Sequence, residues 1–234
     1  MPHTEYPGKD LEAMSFARNY HKWIIDMFKP FLRGTVAEVG AGSGNFSKLL
    51  LERLPEIQLT AFEPSINMFK RLRTSLDNES RLQAVNAFFG DSIQQHMETF
   101  DAVLYVNVLE HIENDLEELR TVKSSLKHGG HVCIFSPALP FLYSELDASI
   151  GHFRRYTKHR LADLVGTAGL KITYIKYMDI AGILPWYLIF VLMKRKITGA
   201  KVSLYDTIIV PPMRIIERAF PIPIGKNLIL VAEK

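Results

Sequence analysis

The stretch that most constrains the fold runs from Val36 to Gly44 and reads V-A-E-V-G-A-G-S-G. Its apolar start leads directly into three glycines at alternating positions, Gly40, Gly42 and Gly44, and apolar residues at helical spacing follow. A strand, a tight glycine turn and a helix start in this order are typical of an α/β nucleotide-binding unit. Glycine lets the chain turn sharply and lets a ligand lie against bare backbone.

Two details of this turn indicate which ligand it holds. The dinucleotide fingerprint is G-x-G-x-x-G, whereas here the third glycine comes one position early and Asn45 stands in its place. Glu38 lies in the strand just before the first glycine. A carboxylate there would repel a pyrophosphate, so the turn favours a cationic ligand such as a sulfonium that carries an ammonium group.

Composition limits the class of protein. The chain has 234 residues, of which 47% are hydrophobic and 23% charged, which suffices for one domain with a buried core. A net charge of +3 does not indicate a nucleic-acid partner. Cys133 is the single cysteine and lies in an apolar run, so burial is expected. The first residues show no apolar signal region, and a cytoplasmic location is the expectation.

Strands and helices alternate after the glycine turn, which predicts a doubly wound parallel sheet in an α/β fold. The spacing predicts a loop at 140–156, an apolar insertion at 179–225 and a glycine helix cap at 128–130. Strands are predicted at 36–39, 58–62, 82–87, 101–107, 131–136, 171–177 and 227–232, and helices at 11–31, from 46 to about 54, 64–76, 113–126 and 157–168.

An acid closes the second predicted strand. Glu63 follows the glycines by about twenty residues, where a carboxylate can accept both ribose hydroxyls. With Glu38 and the glycines, this pattern resembles motif I of the class I S-adenosylmethionine-dependent methyltransferases. The resemblance implies a Rossmann-like sheet of seven strands, mostly parallel with an antiparallel last strand. It also implies S-adenosylmethionine as the cofactor and S-adenosylhomocysteine as its product.

The same resemblance assigns further cofactor contacts. Asp91 matches the acid that bonds the adenine amino group, with Ser92 beside it, and residues 108–111 resemble a Leu-Glu-His motif between cofactor and acceptor. A turn aspartate at Asp91, and at Glu63 an exposed acid before a helix, are the structural alternatives. The cofactor-binding set is Glu38, Gly40, Ala41, Gly42, Glu63, Pro64, Asp91, Ser92, Asn107 and Glu110.

The run G-H-F-R-R-Y-T-K at 151–158 resembles one bacterial branch of small-molecule methyltransferases, which often accompanies genes for glycans, lipids or natural products. His152 and His111 are candidate bases. Tyr156 is a candidate to bond the acceptor or orient the histidine. Arg154 and Arg155 could bind a phosphate or carboxylate; alternatively, one of them pairs with Asp147 or Glu145, and His152 caps a turn. Tyr20 and Trp186 are expected at the acceptor, and no metal ion is expected.

The apolar run at 180–193 is followed by three basic residues and contains Pro185. It is shorter than the ~20 residues that span a bilayer. A lid, a dimer contact and a helix on the inner face of the membrane remain open. Each favours a partly apolar acceptor.

These observations predict a methyltransferase for a small-molecule or lipid- or glycan-linked acceptor that carries a phosphate or carboxylate. The alternatives are a catalytically silent cofactor-binding subunit, an NAD-dependent oxidoreductase and, less in keeping with N-V-L-E-H after the fourth strand, a nucleic-acid methyltransferase. O-, N- and C-methylation remain open. One methyltransferase domain is expected, with a helical cover at 1–33, a core at 34–178, an insertion at 179–225 and a closing strand at 226–234.

Overall fold

The computed structural model describes residues 16–195 and 198–234, which form a seven-stranded sheet in the order β3-β2-β1-β4-β5-β7-β6. The pairs among β1 to β5 are parallel, and β7 is antiparallel to both of its neighbours. This confirms the predicted fold class. The strands are β1 Thr35–Val39, β2 Gln58–Phe62, β3 Leu82–Val85, β4 Phe100–Val106, β5 Leu126–Pro137, β6 Lys171–Met178 and β7 Asn227–Glu233.

Helices cover both faces of the sheet. One buried core contains residues of α1 and α2, and the other contains residues of α4 and α6 on the opposite face. The α-helices are α1 Arg18–Phe28, α2 Asn45–Arg53, α3 Ile66–Ser75, α4 Asp115–Ser125, α5 Glu145–Ser149, α6 Lys158–Thr167, α7 Ile183–Trp186, α8 Gly199–Ile208 and α9 Val210–Ala219. Short 3-10 turns occupy Lys29–Phe31, Gly90–Gln95, Leu109–His111 and Pro140–Leu142, and a π-helical turn occupies Tyr187–Leu192.

The glycine turn joins β1 to α2 at the carboxyl ends of the parallel strands. Gly40 and Ala41 donate backbone N–H groups to the carbonyl of Phe62 at 2.8 and 3.0 Å, which ties the turn to the end of β2. Gly40 has a φ of +69°, and a Cβ there would lie 2.7 Å from Cγ2 of Val108. The backbone shape and the close approach of the loop after β4 therefore both require glycine at this position.

Buried polar groups fasten the insertion at 179–225 to the rest of the fold. The Asp206 carboxylate on α8 accepts the backbone N–H groups of Asn19 and Tyr20, at 2.9 and 2.8 Å, at the start of α1. The Glu217 carboxylate on α9 accepts the backbone N–H groups of Asp179 and Ile180 at 3.1 and 2.9 Å. These bonds satisfy donors at the start of α1 and just after β6.

Several predicted boundaries are wrong. Gly129 and Gly130 lie inside β5, because α4 already ends at Ser125. A Cβ on Gly130 would lie 2.9 Å from the Lys127 carbonyl, and the β4–β5 register shifts nearby, so these glycines mark an irregularity in the strand and do not cap a helix.

Two further differences concern local turn chemistry. Ser65 is the residue before α3, so Pro64 precedes the helix and does not start it. The predicted loop at 140–156 contains α5, which begins with a capping box between Ser144 and Asp147. The first residues of the helix predicted at 11–31 lie outside the described part of the chain, and within that part no helix has the length and apolar character needed to cross a bilayer.

Candidate functional site

A cavity of about 430 Å³ opens at the carboxyl ends of the strands. The glycine turn forms one end of its wall, and His111 and His152 belong to the other. Besides those histidines, ten of the predicted site residues border it: Tyr20, Glu38, Gly40, Ala41, Gly42, Glu63, Pro64, Asn107, Arg155 and Trp186. The fold thus brings most of the predicted cofactor and acceptor residues to one cavity.

Glu63 is held rigidly at the glycine-turn end. One carboxylate oxygen accepts the Gly42 N–H at 2.8 Å, and the other accepts the Ser65 N–H at 2.8 Å. Burial raises the pKa of Glu63, and the two backbone bonds oppose that shift. Because each carboxylate oxygen can accept more than one bond, both oxygens retain capacity for ligand hydroxyls.

Glu38 lies deeper in the same wall. It is buried, and the Ser47 hydroxyl on α2 donates to it at 2.6 Å. Burial raises the pKa of Glu38 to about 7, with the Ser47 hydrogen bond opposing that shift and the nearby Glu63 carboxylate adding to it. A cationic ligand group beside Glu38 would favour its charged form.

Asn107 follows β4 in the left-handed backbone region, with a φ of +54°. Its N–H donates to the Phe135 carbonyl on β5 at 2.9 Å, and the residue borders the cavity. Asparagine tolerates this conformation better than most residues do. The chain can therefore leave the sheet at the point where β4 meets the cavity.

His152 is positioned by a buried carboxylate. Its Nδ1 lies 2.9 Å from Oδ1 of Asp147, whose carboxylate also pairs with the Arg155 guanidinium at 2.8 Å. Asp147 in turn accepts hydrogen bonds from the N–H and hydroxyl of Ser144. The positive charge of Arg155 and these hydrogen bonds, the one from His152 foremost, outweigh burial and keep the pKa of Asp147 below its usual value. The other ring nitrogen of His152 is thereby directed away from Asp147.

Glu110 and His111 adjoin that second nitrogen. Nε2 of His152 lies 3.8 Å from Oε1 of Glu110, and the His111 and His152 rings meet edge to face at 4.5 Å between centroids. Glu110 is fully buried; Ser136 donates to its Oε2 at 3.1 Å, while Oε1 has no hydrogen-bond partner. Burial raises the pKa of Glu110 to about 7 and lowers that of His111 to about 4.

These three side chains could also hold a metal ion. Glu110, His111 and His152 each offer a ligand atom, and those atoms lie within 4.8 Å of one another. From the sequence no metal ion was expected. Here His152 comes from the segment after α5, and only the fold brings it to the two adjacent residues after β4.

Tyr156 and Arg154 lie elsewhere. The Tyr156 side chain is fully buried, and its hydroxyl donates to Asp115 at 2.9 Å. Arg154 donates to the same carboxylate at 2.6 Å and to the Glu113 carbonyl at 2.9 Å. Neither residue borders the cavity. Both fasten the segment before α6 to the start of α4, which differs from the expected acceptor contacts.

Arg155 borders the cavity, but Asp147 occupies its guanidinium fork. The guanidinium also lies 4.6 Å from the centre of the Trp186 ring. The predicted alternative, an arginine paired with Asp147, is therefore what the structure contains. Arg155 acts on the site through Asp147 and Trp186.

The predicted adenine contacts are not on the cavity wall. Asp91 is exposed and Ser92 half-buried on the 3-10 turn Gly90–Gln95, and Phe88 borders the cavity in that region. Glu110, which was expected to contact the cofactor, does not border the cavity either. His111 and His152 form the wall in that region.

Sequence reasoning missed Lys226, a cationic residue of the cavity wall. The Nζ of Lys226 lies 3.0 Å from Asp179 and 5.3–5.7 Å from the ring centres of Tyr20, Trp186 and Tyr205. His21 is buried against the Phe46 ring, and burial lowers its pKa to about 4. Lys226 stands just before β7 with no motif around it, so its sequence position gave no signal.

A second, apolar cavity of about 140 Å³ lies between the insertion and α1. It shares Tyr20, Trp186 and Lys226 with the larger cavity, and Ile189 and Phe190 border it. An apolar chain of a ligand could lie there while a polar end reaches the larger cavity.

Comparison with known proteins agrees with this geometry. Residues 37–132 match the family model described as a methyltransferase domain. Trans-aconitate 2-methyltransferase of Rhodopseudomonas palustris (strain BisB18) is 26% identical over 102 residues, which cover 44% of this chain and 38% of that protein. The tRNA U34 carboxymethyltransferase of Helicobacter pylori (strain Shi470) is 25% identical over 141 residues, 58% of this chain and 52% of that protein. The matches span about half or less of these curated relatives.

Solved structures share the fold over nearly the whole chain. A SAM-dependent methyltransferase from Archaeoglobus fulgidus has a TM-score of 0.62 at 15% identity, covering 96% of this chain and 98% of that one. A methyltransferase of Haloferax volcanii, solved with its Trm112 activator, has a TM-score of 0.67 at 16% identity, covering 97% and 94%. The family match covers part of the chain and the solved structures show a shared fold, while the names of the curated relatives state different acceptors.

Proposed function

We propose that this chain transfers a methyl group from S-adenosylmethionine to a partly apolar small-molecule or lipid-linked acceptor. The observation that carries the proposal is one cavity with two chemically different ends. Glu38, Glu63 and the glycine turn border one end, and His111 and His152 border the other. In this proposal residues 34–178 are the core, 1–33 and 179–225 cover it, and 226–234 close the sheet.

At the cofactor end, Glu63 accepts the ribose hydroxyls through its remaining lone pairs. Glu38 faces the ammonium group, while Gly40, Ala41, Gly42 and Pro64 lie against the cofactor. Asn107 lies between the cofactor and the acceptor. For Asp91 and Ser92 the adenine role rests on the family resemblance alone, because both lie off the cavity wall.

At the acceptor end, the nucleophile's lone pair forms a bond to the methyl carbon while the carbon–sulfur bond breaks and its electron pair goes to sulfur. Alignment of these three atoms supplies much of the rate. His152 is the better placed of the two candidate bases, because Asp147 holds Nδ1 and leaves Nε2 to accept the acceptor's proton. His111 is the alternative.

The proposed class of acceptor follows from the residues of α1 and the insertion that border the two cavities. Trp186 and Tyr20 border both cavities, and the smaller cavity is mainly apolar. Lys226 at their junction could attract a phosphate or carboxylate, a role first expected of the arginines. The resemblance of residues 151–158 to a bacterial small-molecule branch, with its glycan and natural-product contexts, supports the same class. A nucleic-acid acceptor is not part of the proposal.

Calorimetric titration with S-adenosylmethionine, S-adenosylhomocysteine and NAD tests the cofactor. We expect micromolar affinity for both sulfur ligands and none for NAD. Against a screened acceptor, His152→Ala should lower turnover by about 10²–10⁴-fold and leave S-adenosylhomocysteine affinity within about twofold. His159→Ala, on the exposed face of α6, is the control. Turnover unchanged in His152→Ala would assign that side chain a structural role.

The second candidate is a silent cofactor-binding subunit. Such a subunit would bind the cofactor and need a second chain for function, and one structural neighbour was solved in complex with an activator protein. A chain that binds S-adenosylhomocysteine and turns over no acceptor until a second protein is added would support this candidate over the first.

We further propose that the insertion rests on an anionic lipid surface. The burial pattern of helix α9 is the reverse of that of an ordinary surface helix. Its charged Glu217 is buried, whereas Ile215 and Ile216, and Phe220 just after its end, are exposed. Leu204 and Ile208 are exposed one turn apart on α8. An apolar patch of this kind marks a contact with a membrane or another protein.

Charge favours the lipid. The acids between residues 180 and 225 are Asp206 and Glu217, and both are buried. Lys201 and Arg218 are exposed on α8 and α9. Exposed apolar side chains interleaved with basic ones are typical of surfaces that bind anionic bilayers. The contact first expected at 180–196 would therefore extend to residues 199–220.

Vesicle sedimentation tests this surface. The protein should bind vesicles that contain phosphatidylglycerol better than neutral phosphatidylcholine vesicles. The double variant Ile215→Ser, Phe220→Ser should lose most of this binding. Met97→Ser, which removes an exposed apolar side chain before β4, should retain it. Failure to bind anionic vesicles would overturn the lipid surface. A dimer that these same serines dissociate would identify a contact between copies instead.

A further inference from the structure

We infer that Glu110, His111 and His152 form a site for one divalent transition-metal ion at the acceptor end of the larger cavity. Only the role of the ion depends on the proposed function: the ion would hold the acceptor's oxygen beside the methyl group. The ion site itself stands on the arrangement of these three side chains.

The ligand set matches known metal chemistry. Two imidazoles and one carboxylate form the protein ligands of several catalytic zinc sites and of facial iron sites. The ligand atoms of the three residues lie within 4.8 Å of one another, and Nε2 of His152 is 3.8 Å from Oε1 of Glu110. Ligand atoms about 2.1 Å from a tetrahedral ion stand roughly 3.4 Å apart, so small side-chain rotations complete the site.

One ligand atom lacks any other partner. Glu110 is fully buried, and its Oε1 is a buried oxygen that makes no hydrogen bond within residues 16–195 and 198–234. Buried carboxylate oxygens nearly always have a partner, since an unpaired one costs free energy. A metal ion would satisfy this oxygen directly.

The surrounding charges leave room for a cation. Glu110 and Asp147 are the carboxylates of this region, and the Arg155 guanidinium is paired with Asp147 at 2.8 Å. Arg155 also acts electrostatically on Glu110, but its guanidinium is bonded to Asp147, so the charge of Glu110 is only partly compensated. A divalent ion would compensate it.

The imidazoles are held as metal-bound histidines usually are. Asp147 is hydrogen-bonded to Nδ1 of His152. This bond directs Nε2 of the same ring towards Glu110. The Gly151 backbone makes a hydrogen bond with the His111 ring. Carboxylate and backbone partners of this kind fix the orientation of metal-binding imidazoles.

Three protein ligands leave a coordination position, and His111 and His152 border the cavity from which an acceptor would arrive. A bound ion would lower the pKa of a coordinated hydroxyl, whose proton passes to solvent before the oxygen attacks the methyl carbon. Both histidines would then be metal ligands, and this role would replace that of His152 as the base. Such a site favours an acceptor that reacts through oxygen.

The test is metal binding by chelator-treated protein. Equilibrium dialysis with Zn²⁺ should give one ion per chain, and Co²⁺ should give the visible absorption of a four-coordinate N/O site. Glu110→Gln and His152→Ala should each weaken binding at least tenfold. His128→Ala removes a 91% exposed side chain and should change nothing.

Calorimetry with S-adenosylhomocysteine on the same samples separates the two proposals. Variants that keep its affinity within about twofold of wild type have an intact cofactor end, so their loss of metal is local. Wild-type protein without a Co²⁺ spectrum, or variants that bind Zn²⁺ as wild type does, would overturn the metal site and leave the methyltransferase proposal standing. Absence of S-adenosylhomocysteine binding in wild type would contradict the methyltransferase and not the metal site.

Discussion

The two ends of the large cavity are built in different ways. At the cofactor end, Glu63 is bonded by the backbone N–H groups of Gly42 and Ser65, all within about twenty residues of one another. At the acceptor end, Glu110 meets His152 from a distant segment, and one of its oxygens has no hydrogen bond. At the cofactor end, both oxygens of the Glu63 carboxylate already accept hydrogen bonds. At the acceptor end, the Glu110 carboxylate has a buried oxygen to which a ligand could bind.

This difference separates a backbone-built site from a side-chain-built one. Backbone sites need particular conformations, such as the positive φ of Gly40, and these leave glycines in the sequence. Side-chain sites need partners such as Asp147, whose effect depends on tertiary packing. The predictions below test whether the two ends depend on their supports to different degrees.

The largest effect should come from Asp147→Ala. Asp147 and Arg155 are both buried, and removal of one partner leaves an unpaired buried charge. Such losses cost about 3–5 kcal/mol of the free energy of unfolding, measured here by urea denaturation. Asp163→Ala, which breaks the exposed pair with His159, should change it by less than about 1 kcal/mol. An Asp147→Ala cost no larger than that of the control would mean that this ion pair does not support the acceptor end.

Glu63→Ala should have the largest effect at the cofactor end. Both its backbone donors lose their acceptor, and the proposed ribose contacts disappear. With charge-assisted hydrogen bonds at about 1.5–3 kcal/mol each, loss of the two proposed ribose contacts should lower affinity for S-adenosylhomocysteine roughly 10²- to 10⁴-fold by calorimetry. Glu79→Ala, at the exposed turn before β3, provides the comparison. Unchanged affinity in Glu63→Ala would remove its ribose role.

The pH dependence of cofactor affinity should be set by Glu38. Burial raises its pKa to about 7, so the free protein loses stability as pH rises through 7 and the carboxyl ionises. A cationic ligand reverses this preference. Affinity for S-adenosylmethionine should therefore rise by up to about tenfold per pH unit below pH 7 and level off above it.

Proton release during titration, measured in two buffers of different ionisation enthalpy, checks this assignment. Glu38→Gln cannot titrate and should bind more weakly with a flatter pH profile. If the variant keeps the wild-type slope, another group, such as Glu63, governs the dependence.

The smallest effect should come from Ile215→Ser. This side chain is 72% exposed on α9, so its loss should alter the free energy of unfolding by no more than about 0.5 kcal/mol. A cost of several kcal/mol in dilute solution would mean that Ile215 is already covered in the free protein, as in a dimer. Comparison at two protein concentrations distinguishes that case.

The sequence sufficed for most of the sheet and for the glycine-turn end. Apolar runs that alternate with helical patterns located the seven strands. Glu38, the glycines and Glu63 lie at the cavity, because ligands bind at the carboxyl ends of parallel strands. The glycine helix cap predicted at 128–130 is wrong, because glycines occur at strand irregularities as well as at helix caps.

The acceptor end could not be predicted in the same way. The run at 151–158 contributes His152 and Arg155 to the cavity wall. Its spacing could not show that Arg154 and Tyr156 bond to Asp115 while His152 lies beside Glu110. The capping box from Ser144 to Asp147 was visible in the sequence and would have revealed α5. The outward apolar face of α9 depends on Glu217 finding backbone donors near β6, which is a tertiary effect.

The bond between Asp206 and the start of α1 has a thermodynamic consequence. Asp206 belongs to the insertion, while the helix it caps carries Tyr20 and His21 on the cavity wall. If a lipid surface binds better to one position of the insertion, the shift changes the position of α1 and therefore the affinity for the cofactor. The two ligands are then linked reciprocally: whatever factor the lipid applies to cofactor affinity, the cofactor applies to lipid affinity.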